Sequence, residues 1–255
     1  MKIAVSGKGG VGKTTVAGLL CRAIEARGRS VIAIDADSNP NLAYALGLPA
    51  DKITPLAEMK DLIREKVGVE KGSYGAYFQM NPDVSDIPAR FRYTAGNVQL
   101  LVMGAIPRGN GGCACPEYTL IRSLVSYLLL NEKQDLVIDM EAGLEHFGRG
   151  VTEKVDALLV VTLPNKVSCL TASRVHKLAS DLGITRIHAI GNQVKDDRDK
   201  DFIITELRDF DHFTFLPHFA GMAECERAGR NAFDTPELKQ SADKLLALVA
   251  EMHNG

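Results

Sequence analysis

The feature that most constrains the fold of this chain is the glycine-rich segment GKGGVGKT at residues 7–14. It fits the pattern G-x-x-x-x-G-K-[ST], follows a short apolar run and precedes a helical pattern. In such a loop the glycines let successive backbone N–H groups turn inward, and the next helix adds the positive end of its dipole. The segment therefore predicts a phosphate-binding loop between a strand and a helix.

Two side chains of this loop have specific expected roles. Lys13 is expected to contact the β- and γ-phosphates of a nucleoside triphosphate, and the Thr14 hydroxyl is expected to bind Mg²⁺. The alternative is a glycine-rich turn without a ligand, but the strand, the spacing and the helix together favour the phosphate loop. The predicted nucleotide-binding residues of the loop are Gly7, Lys8, Gly9, Gly10, Val11, Gly12, Lys13, Thr14 and Thr15.

The apolar pattern of the remaining chain alternates between short β-branched runs and helical repeats. The runs are typical of strands buried on both faces of a parallel sheet. Repeated strand–helix–strand units imply an α/β fold, a doubly wound and mostly parallel sheet flanked by helices. Predicted strands lie at 3–5, 31–34, 98–103, 136–138, 157–162 and 187–190, and predicted helices at 14–28, 117–130, 168–182 and from 236 onward.

The chain lacks repeats, low-complexity tracts and linkers, so we interpret residues 1–255 as one domain. One segment, about 51–97, breaks the alternation because it mixes a helical piece at 56–67 with several glycines and a proline. We expect it to form an irregular insertion over one edge of the sheet.

Composition narrows the classes of function. Lys and Arg number 30 against 32 Asp and Glu, and there is no Trp, so a basic or aromatic surface for nucleic acid is not indicated. Apolar runs fall short of the roughly 18 residues that a membrane span requires. The five cysteines lack a paired spacing, which argues against a disulfide framework. We therefore expect a cytoplasmic protein that binds neither nucleic acid nor membrane.

Carboxylates follow two of the predicted strands. Asp35 and Asp37 come after the run 31–34, and Asp139 comes after the run 136–138. At the carboxyl edge of a parallel sheet, such side chains can hold Mg²⁺ or orient a water molecule. A turn or a helix cap is the alternative interpretation. This alternative stays open for Asp35, whereas a functional role is favoured for Asp37 and Asp139.

Cys113 and Cys115 form a C-x-C pair immediately before the predicted helix 117–130. In an extended chain, residues two apart face the same side, so both sulfurs can converge on one ion. The helix N-terminus is expected to lower the pKa of these thiols. Two thiolates leave a four-coordinate shell incomplete, and a second copy of the chain across a two-fold axis would complete it. A redox pair or two small apolar residues are the alternatives.

The string KGGVGKTT at 8–15 resembles the deviant Walker A motif of the ATPase group that includes Min-type and Par-type proteins and the nitrogenase iron protein. Together with DMEAGLEH at 139–146 and the cysteine pair, the chain resembles the CooC-type ATPases over essentially its whole length. Those proteins are nickel-insertion maturation factors for carbon monoxide dehydrogenase. The resemblance therefore implies an ATPase that uses ATP and Mg²⁺.

This resemblance also implies roles for individual residues. Lys8 would reach across a homodimer interface to the partner's nucleotide, and Asp37 would activate the hydrolytic water. Lys8, Lys13 and Asp37 thus form the expected catalytic set, and Thr14, Asp37 and Asp139 the expected Mg²⁺ site. The backbone N–H of Gly143 would sense the γ-phosphate.

The base of the nucleotide has its own expected contacts. By the same resemblance, Asn192 and Pro217 would lie beside the adenine, and an amide side chain can both donate and accept there. The segment after the strand 187–190 lacks the N-K-x-D motif of GTPases, so ATP is favoured over GTP.

The metal and the partners are implied in the same way. Cys113 and Cys115 of two subunits would share one Ni²⁺ in an ATP-dependent homodimer, with carbon monoxide dehydrogenase as client. Thiolate chemistry alone does not select nickel over zinc or copper(I), and Zn²⁺ is a possible ligand in vitro.

Two other functions are alternatives. A membrane- or DNA-positioning ATPase of the ParA/MinD kind would need a basic stripe, and residues 239–255 carry balanced charges. An iron–sulfur carrier or electron donor of the nitrogenase iron protein kind would need a cysteine soon after the second acidic site, and residues 143–150 contain none.

Overall fold

The computed structural model describes residues 1–68, 79–105, 115–141, 154–221, 224, 227, 233 and 235–254. In these residues eight strands form one sheet in the order β3-β4-β2-β5-β1-β6-β7-β8. All neighbouring strands are parallel except β3 and β4. The strands are β1 Lys2–Gly7, β2 Val31–Ala36, β3 Tyr93–Ala95, β4 Val98–Val102, β5 Asp135–Met140, β6 Ala157–Thr162, β7 Ile187–Val194 and β8 Phe213–Pro217.

Helices cover both faces of this sheet, which confirms the predicted doubly wound α/β fold. They are α1 Lys13–Ala26, α2 Leu42–Ala45, α3 Lys60–Val67, α4 Ile87–Phe91, α5 Pro116–Asn131, α6 Lys166–Asp181, α7 Asp197–Glu206 and α8 Pro236–Asn254. One apolar layer packs α1, α2 and α8 against the sheet, and the other packs α3, α5 and α6 against its opposite face. No helix in the described ranges is long and apolar enough to cross a membrane.

The segment 51–97 differs in detail from the irregular insertion that we expected. Its short helix α3 buries Leu62, Ile63 and Val67 in the core layer shared with α5, and Leu56 joins them. Its last residues form β3, which pairs antiparallel with β4 and ends the sheet. The described part therefore contributes core and an edge strand, because its apolar residues recur at helical spacing.

Several described elements were not predicted from the sequence, among them β3 and α7. The strand β3 is only three residues long and half-buried, so it carries no periodic signal. The helix α7 begins with the charged run 197–201. Asp196 caps it by accepting hydrogen bonds from the N–H groups of Arg198 and Asp199, and Ile203 is its buried residue. One apolar anchor in ten residues is too few to predict a helix.

The direction of the strands decides where the functional side chains lie. Because β1, β2, β5, β6 and β7 run parallel, their carboxyl ends meet at one edge of the sheet. The phosphate loop follows β1, and the carboxylates predicted to be functional lie at the ends of β2 and β5. The topology thus brings separate parts of the chain to one place.

Candidate functional site

The phosphate loop needs glycine at two positions that frame it. Gly7 ends β1 with φ +147°, and a Cβ there would lie 2.3 Å from the carbonyl oxygen of Val161. Gly12 precedes α1 with φ +94°, and a Cβ there would lie 2.3 Å from Nδ2 of Asn192. Any side chain at either position would therefore clash as well as strain the backbone.

The first turn of α1 has no side-chain cap. Gly12 stands at its N-cap position, and no side chain accepts a hydrogen bond from that turn. The unpaired N–H groups and the helix dipole then point toward the loop, which is the arrangement that binds an anion. The sequence predicted this position for the loop, and the structure places it there.

The two lysines of the loop occupy different environments. Lys13 is 6% exposed, and its Nζ lies 3.7 Å from Oδ2 of Asp37. Lys8 is exposed on the loop. The structure thus brings Lys13 and Asp37 of the predicted catalytic set together within one chain, while Lys8 points its charge to the surface of that chain.

Thr14 and Asp139 are joined by a short hydrogen bond. The Thr14 hydroxyl donates to Oδ2 of Asp139 at 2.6 Å, and Asp139 is completely buried. The second oxygen, Oδ1, has no hydrogen-bond partner. Burial raises the pKa of Asp139 to about 7, opposed by the Thr14 hydrogen bond, while the negative charge of Asp35 raises it further and Lys13 lowers it.

These atoms fit a magnesium ion. A hydroxyl and a carboxylate oxygen are the hard donors that Mg²⁺ prefers, and Mg²⁺ usually keeps several waters besides one or two protein ligands. A buried oxygen without a partner is costly, and a cation beside Oδ1 would compensate that cost. Thr14 and Asp139 are the residues that would hold it. Asp37 belongs to the same group of side chains, because its Oδ2 lies 3.7 Å from Nζ of Lys13.

Asp35 has a structural role in the described chain. Its carboxylate accepts hydrogen bonds from the backbone N–H groups of Leu42 at 2.8 Å and Asp37 at 3.3 Å. It therefore holds the connection between β2 and α2, which supports the capping interpretation that the sequence left open. Burial raises the pKa of Asp35 to about 6, although these backbone hydrogen bonds lower it.

A cleft of about 270 Å³ lies beside the loop, and the predicted base-binding residues line it. Asn192 is a buried residue near the end of β7, and Pro217 ends β8. Nδ2 of Asn192 donates to the carbonyl oxygen of Val11 at 2.8 Å, so this amide also fixes the loop. The other residues of the lining include Gly10, Gly12, Thr15, Leu216, His218 and Phe219.

Sequence reasoning missed Gln193 in this cleft. It has φ +57° and is the only residue other than glycine with positive φ in the described ranges. A register shift between Gly191 and Val194 in the pairing of β7 with β8 accompanies this conformation. Positive φ is uncommon for residues other than glycine, asparagine and aspartate, so nothing in the sequence indicated it.

The predicted metal-binding cysteines are only partly described. Cys113 and also Gly143 lie outside the described residues. Cys115 is the N-cap residue of α5, and its Sγ accepts a hydrogen bond from the N–H of Tyr118 at 3.4 Å. Among the described side chains, no group of three or more His, Cys, Asp and Glu residues can hold a metal ion.

The expected pKa of the thiol was wrong for Cys115. Burial raises the pKa of this thiol, and Glu117 raises it too, while the Tyr118 N–H lowers it. The increase in pKa from loss of water around the sulfur is therefore larger than the decrease expected from the helix N-terminus. Cys21 and Cys169 are buried, as expected for small apolar residues.

The glycine requirement gives a direct prediction. Gly12→Ala should lower the free energy of unfolding by about 1–3 kcal/mol in nucleotide-free protein, because the new Cβ meets Asn192 and φ stays positive. Urea titration measures this change. Gly9→Ala is the control, since a Cβ at Gly9 meets nothing within 4 Å. Equal stability of the two variants would contradict the geometry.

The raised pKa of Asp139 predicts a pH dependence. The folded state holds a proton on Asp139 more tightly than the unfolded state, so this stabilisation is present at low pH and is lost as pH rises from 3.8 to about 7. Between these values, wild-type stability relative to Asp139→Asn should fall by up to about 1.4 kcal/mol per pH unit. Urea titrations with EDTA and without nucleotide measure the difference.

Asp197→Asn is the matched control for that experiment. The pKa of the exposed Asp197 carboxylate is lowered by Lys200. Comparison of wild type with Asp197→Asn should therefore not show a relative loss of wild-type stability as pH rises. A pH profile of Asp139→Asn that ran parallel to the wild-type profile would show that folding does not raise the pKa of Asp139.

The chain matches proteins of known family over nearly its full length. Residues 2–251 match the model of the CobQ/CobB/MinD/ParA nucleotide binding domain. The carbon monoxide dehydrogenase accessory protein CooC of Rhodospirillum rubrum is 41% identical over 255 residues, which cover 98% of this chain and 97% of that protein. An uncharacterized ATP-binding protein of Methanocaldococcus jannaschii is 40% identical over 257 residues, covering 100% and 99%.

A solved structure shares the fold. MinD in the MinC:MinD cell division protein complex of Aquifex aeolicus aligns with a TM-score of 0.70, at 19% identity, over 97% of this chain and 95% of that one. At this identity the likeness concerns the fold alone. Taken with the sequence matches and the phosphate loop, it leads to one assignment: the chain is a P-loop ATPase that belongs to the CobQ/CobB/MinD/ParA nucleotide-binding family and, within it, to the CooC type.

Proposed function

We propose that this ATPase is a dimeric metallochaperone that binds nickel at a shared Cys-x-Cys site and supports nickel insertion into carbon monoxide dehydrogenase. One observation carries the proposal: the 41% identity to the accessory protein CooC extends over almost the full length of both chains. An accessory protein for a dehydrogenase that also hydrolyses ATP needs a cargo and a switch, and the chain has candidates for each.

The switch is the nucleotide site. ATP binds on the phosphate loop with its β- and γ-phosphates near Lys13, and Thr14 with Asp139 holds Mg²⁺, which neutralises phosphate charge. The triphosphate gives Lys13 a second anionic partner besides Asp37, which lies 3.7 Å away. Asp37 is then able to orient the attacking water and accept its proton. The N–H of Gly143 detects whether the γ-phosphate is present.

The cargo site is the cysteine pair. Cys115 begins α5, the helix that follows β4 in the chain, and the strand ends that carry the nucleotide site lie on the same edge as the end of β4. Its half-buried thiol supplies one ligand and Cys113 a second. Two such pairs related by a two-fold axis supply the four sulfurs that a soft metal ion can use.

Lys8 links the switch to dimerisation. Its side chain is exposed on the loop, while Lys13 is buried inside the site. In the proposed dimer, Lys8 contacts the phosphates in the partner subunit, so ATP stabilises the dimer and hydrolysis weakens it. A weaker dimer separates the two cysteine pairs and releases nickel.

Replacing both cysteines tests the cargo site. Wild-type protein should bind about half a nickel ion per chain, and Cys113→Ser with Cys115→Ser should bind none at that site. Metal analysis after desalting measures the ratio. Cys169→Ala is the control, because Cys169 is buried against Thr162 and Leu163. Unchanged nickel content in the double variant would end the metallochaperone proposal and leave the ATPase assignment intact.

Replacing Lys8 tests the dimer. With Mg²⁺ and ATP, the wild-type mass in sedimentation should double, and Lys8→Ala should stay at the mass of one chain with ATP hydrolysis reduced about 10³-fold, as for loss of a lysine or arginine supplied in trans. Lys177→Ala, which removes an exposed lysine from α6, should behave as wild type. ATP-dependent doubling in Lys8→Ala would remove Lys8 from the interface.

A further inference from the structure

One extra residue in β7 changes the direction in which Gln193 points. The pairing of β7 with β8 shifts register between Gly191 and Val194. Ala189 and Val194 belong to the same core layer although they lie five positions apart. A regular strand does not allow this, because successive side chains face opposite sides. The bulge therefore takes Gln193 off the face of Ala189, and Gln193 is an exposed residue of the cleft beside the phosphate loop.

The backbone of Gln193 is unfavourable for any residue that has a Cβ. Its φ is +57°, a conformation that glycine would adopt without strain. Bulges and strained residues occur preferentially beside functional sites, where they redirect a side chain. The position thus carries a side chain at a conformational cost, which indicates that this side chain has a role in the cleft.

The cleft suits a flat and uncharged ligand. Its described lining contains no Asp, Glu, Lys or Arg side chain. Leu19, Leu216 and Phe219 supply apolar surface, and the volume of about 270 Å³ is near the lower end of the range for ligand sites. These properties fit the base of a nucleotide, whereas the charged phosphates fit the neighbouring loop.

Asn192 has only part of its amide available for a base. Its Nδ2 donates to the carbonyl oxygen of Val11 at 2.8 Å, so one of its two N–H groups is used by the loop. The side-chain amide of Gln193 forms no hydrogen bond with any residue that the structure describes. Gln193 therefore offers the cleft a complete carboxamide, with an acceptor at Oε1 and a donor at Nε2.

We propose that Gln193 is a specificity-determining residue of the ATPase and that its amide hydrogen-bonds the edge of adenine. Oε1 accepts a hydrogen bond from the 6-amino group, and Nε2 donates to a neighbouring ring nitrogen. Guanine has a carbonyl acceptor at position 6, so the same amide would lose one of the two bonds. The inference rests on the proposed position of the base in this cleft, and it adds a contact to those expected of Asn192 and Pro217.

A nucleotide analogue tests the contact. Calorimetry compares the affinity for ADP with that for purine riboside diphosphate, which lacks the 6-amino group. Wild-type protein should prefer ADP, and Gln193→Ala should lower this preference about 2- to 10-fold, as for loss of one hydrogen bond. Lys195→Ala is the matched control, because Lys195 is exposed two positions later and lines the larger cavity instead. An undiminished preference in Gln193→Ala would overturn the proposal.

Stability measurements separate recognition from folding. Gln193→Gly removes the same amide but relieves the positive φ, so the urea midpoint should rise while the preference for ADP falls. A role in folding alone would lower the urea midpoint and leave the preference unchanged. That pair of results would also overturn the proposal.

Asn192→Ala separates this contact from the position of the base. A loss of preference for ADP in Asn192→Ala but not in Gln193→Ala would keep the base in the cleft and remove Gln193 from its recognition. An unchanged preference in both variants would place the base outside the cleft, which contradicts the inference at its starting point. None of these measurements involves nickel, so the metallochaperone proposal stands or falls separately.

Discussion

The hydrogen bond from Thr14 to Asp139 is the contact on which the arrangement of the site depends. It joins the first turn of α1 to the end of β5 at 2.6 Å, and Asp139 is fully buried there. With α1 fixed at this point, the loop must close between β1 and the helix in five residues, and only glycine can take the backbone shape at Gly7 and Gly12. The direction of the first N–H groups of α1 follows from that closure.

Burial of the carboxylates around this contact creates an electrostatic imbalance that a nucleotide with Mg²⁺ would relieve. Three carboxylates, Asp35, Asp37 and Asp139, lie near one buried lysine, Lys13. Burial raises the pKa of Asp35 and Asp139, so the protein groups alone carry less negative charge near neutral pH than the number of carboxylates suggests. Mg²⁺ would stabilise the ionised form of Asp139, and the phosphates would satisfy Lys13. Nucleotide and metal thus stabilise a charge state that the protein alone disfavours.

One helix borders both polar regions of the molecule. The first half of α8 contributes Leu238 and Ser241 to the nucleotide cleft. Its second half contributes Leu248 and Glu251 to two cavities that His188 and His212 also line. Between these positions its apolar side, including Leu245 and Val249, packs in the core layer that α1 also builds. The nucleotide cleft and these cavities therefore have α8 as a common wall, and Leu216 and Pro217 line both the cleft and the larger cavity.

The sequence by itself determined the α/β class, the six strands with β-branched runs and the place of the phosphate loop, because these depend on local periodicity and on glycine spacing. The sequence could not predict β3 or α7, because their apolar patterns are too short. It also could not predict the positive φ of Gln193. Tertiary structure alone decided which groups each carboxylate meets: Asp35 accepts a hydrogen bond from the N–H of Leu42, whereas Asp37 accepts one from the N–H of Asn39 and also lies 3.7 Å from Nζ of Lys13. It also decided the pKa of Cys115, because burial of the thiol outweighs the hydrogen bond from the Tyr118 N–H. It brought His188 beside His212 because β7 pairs with β8.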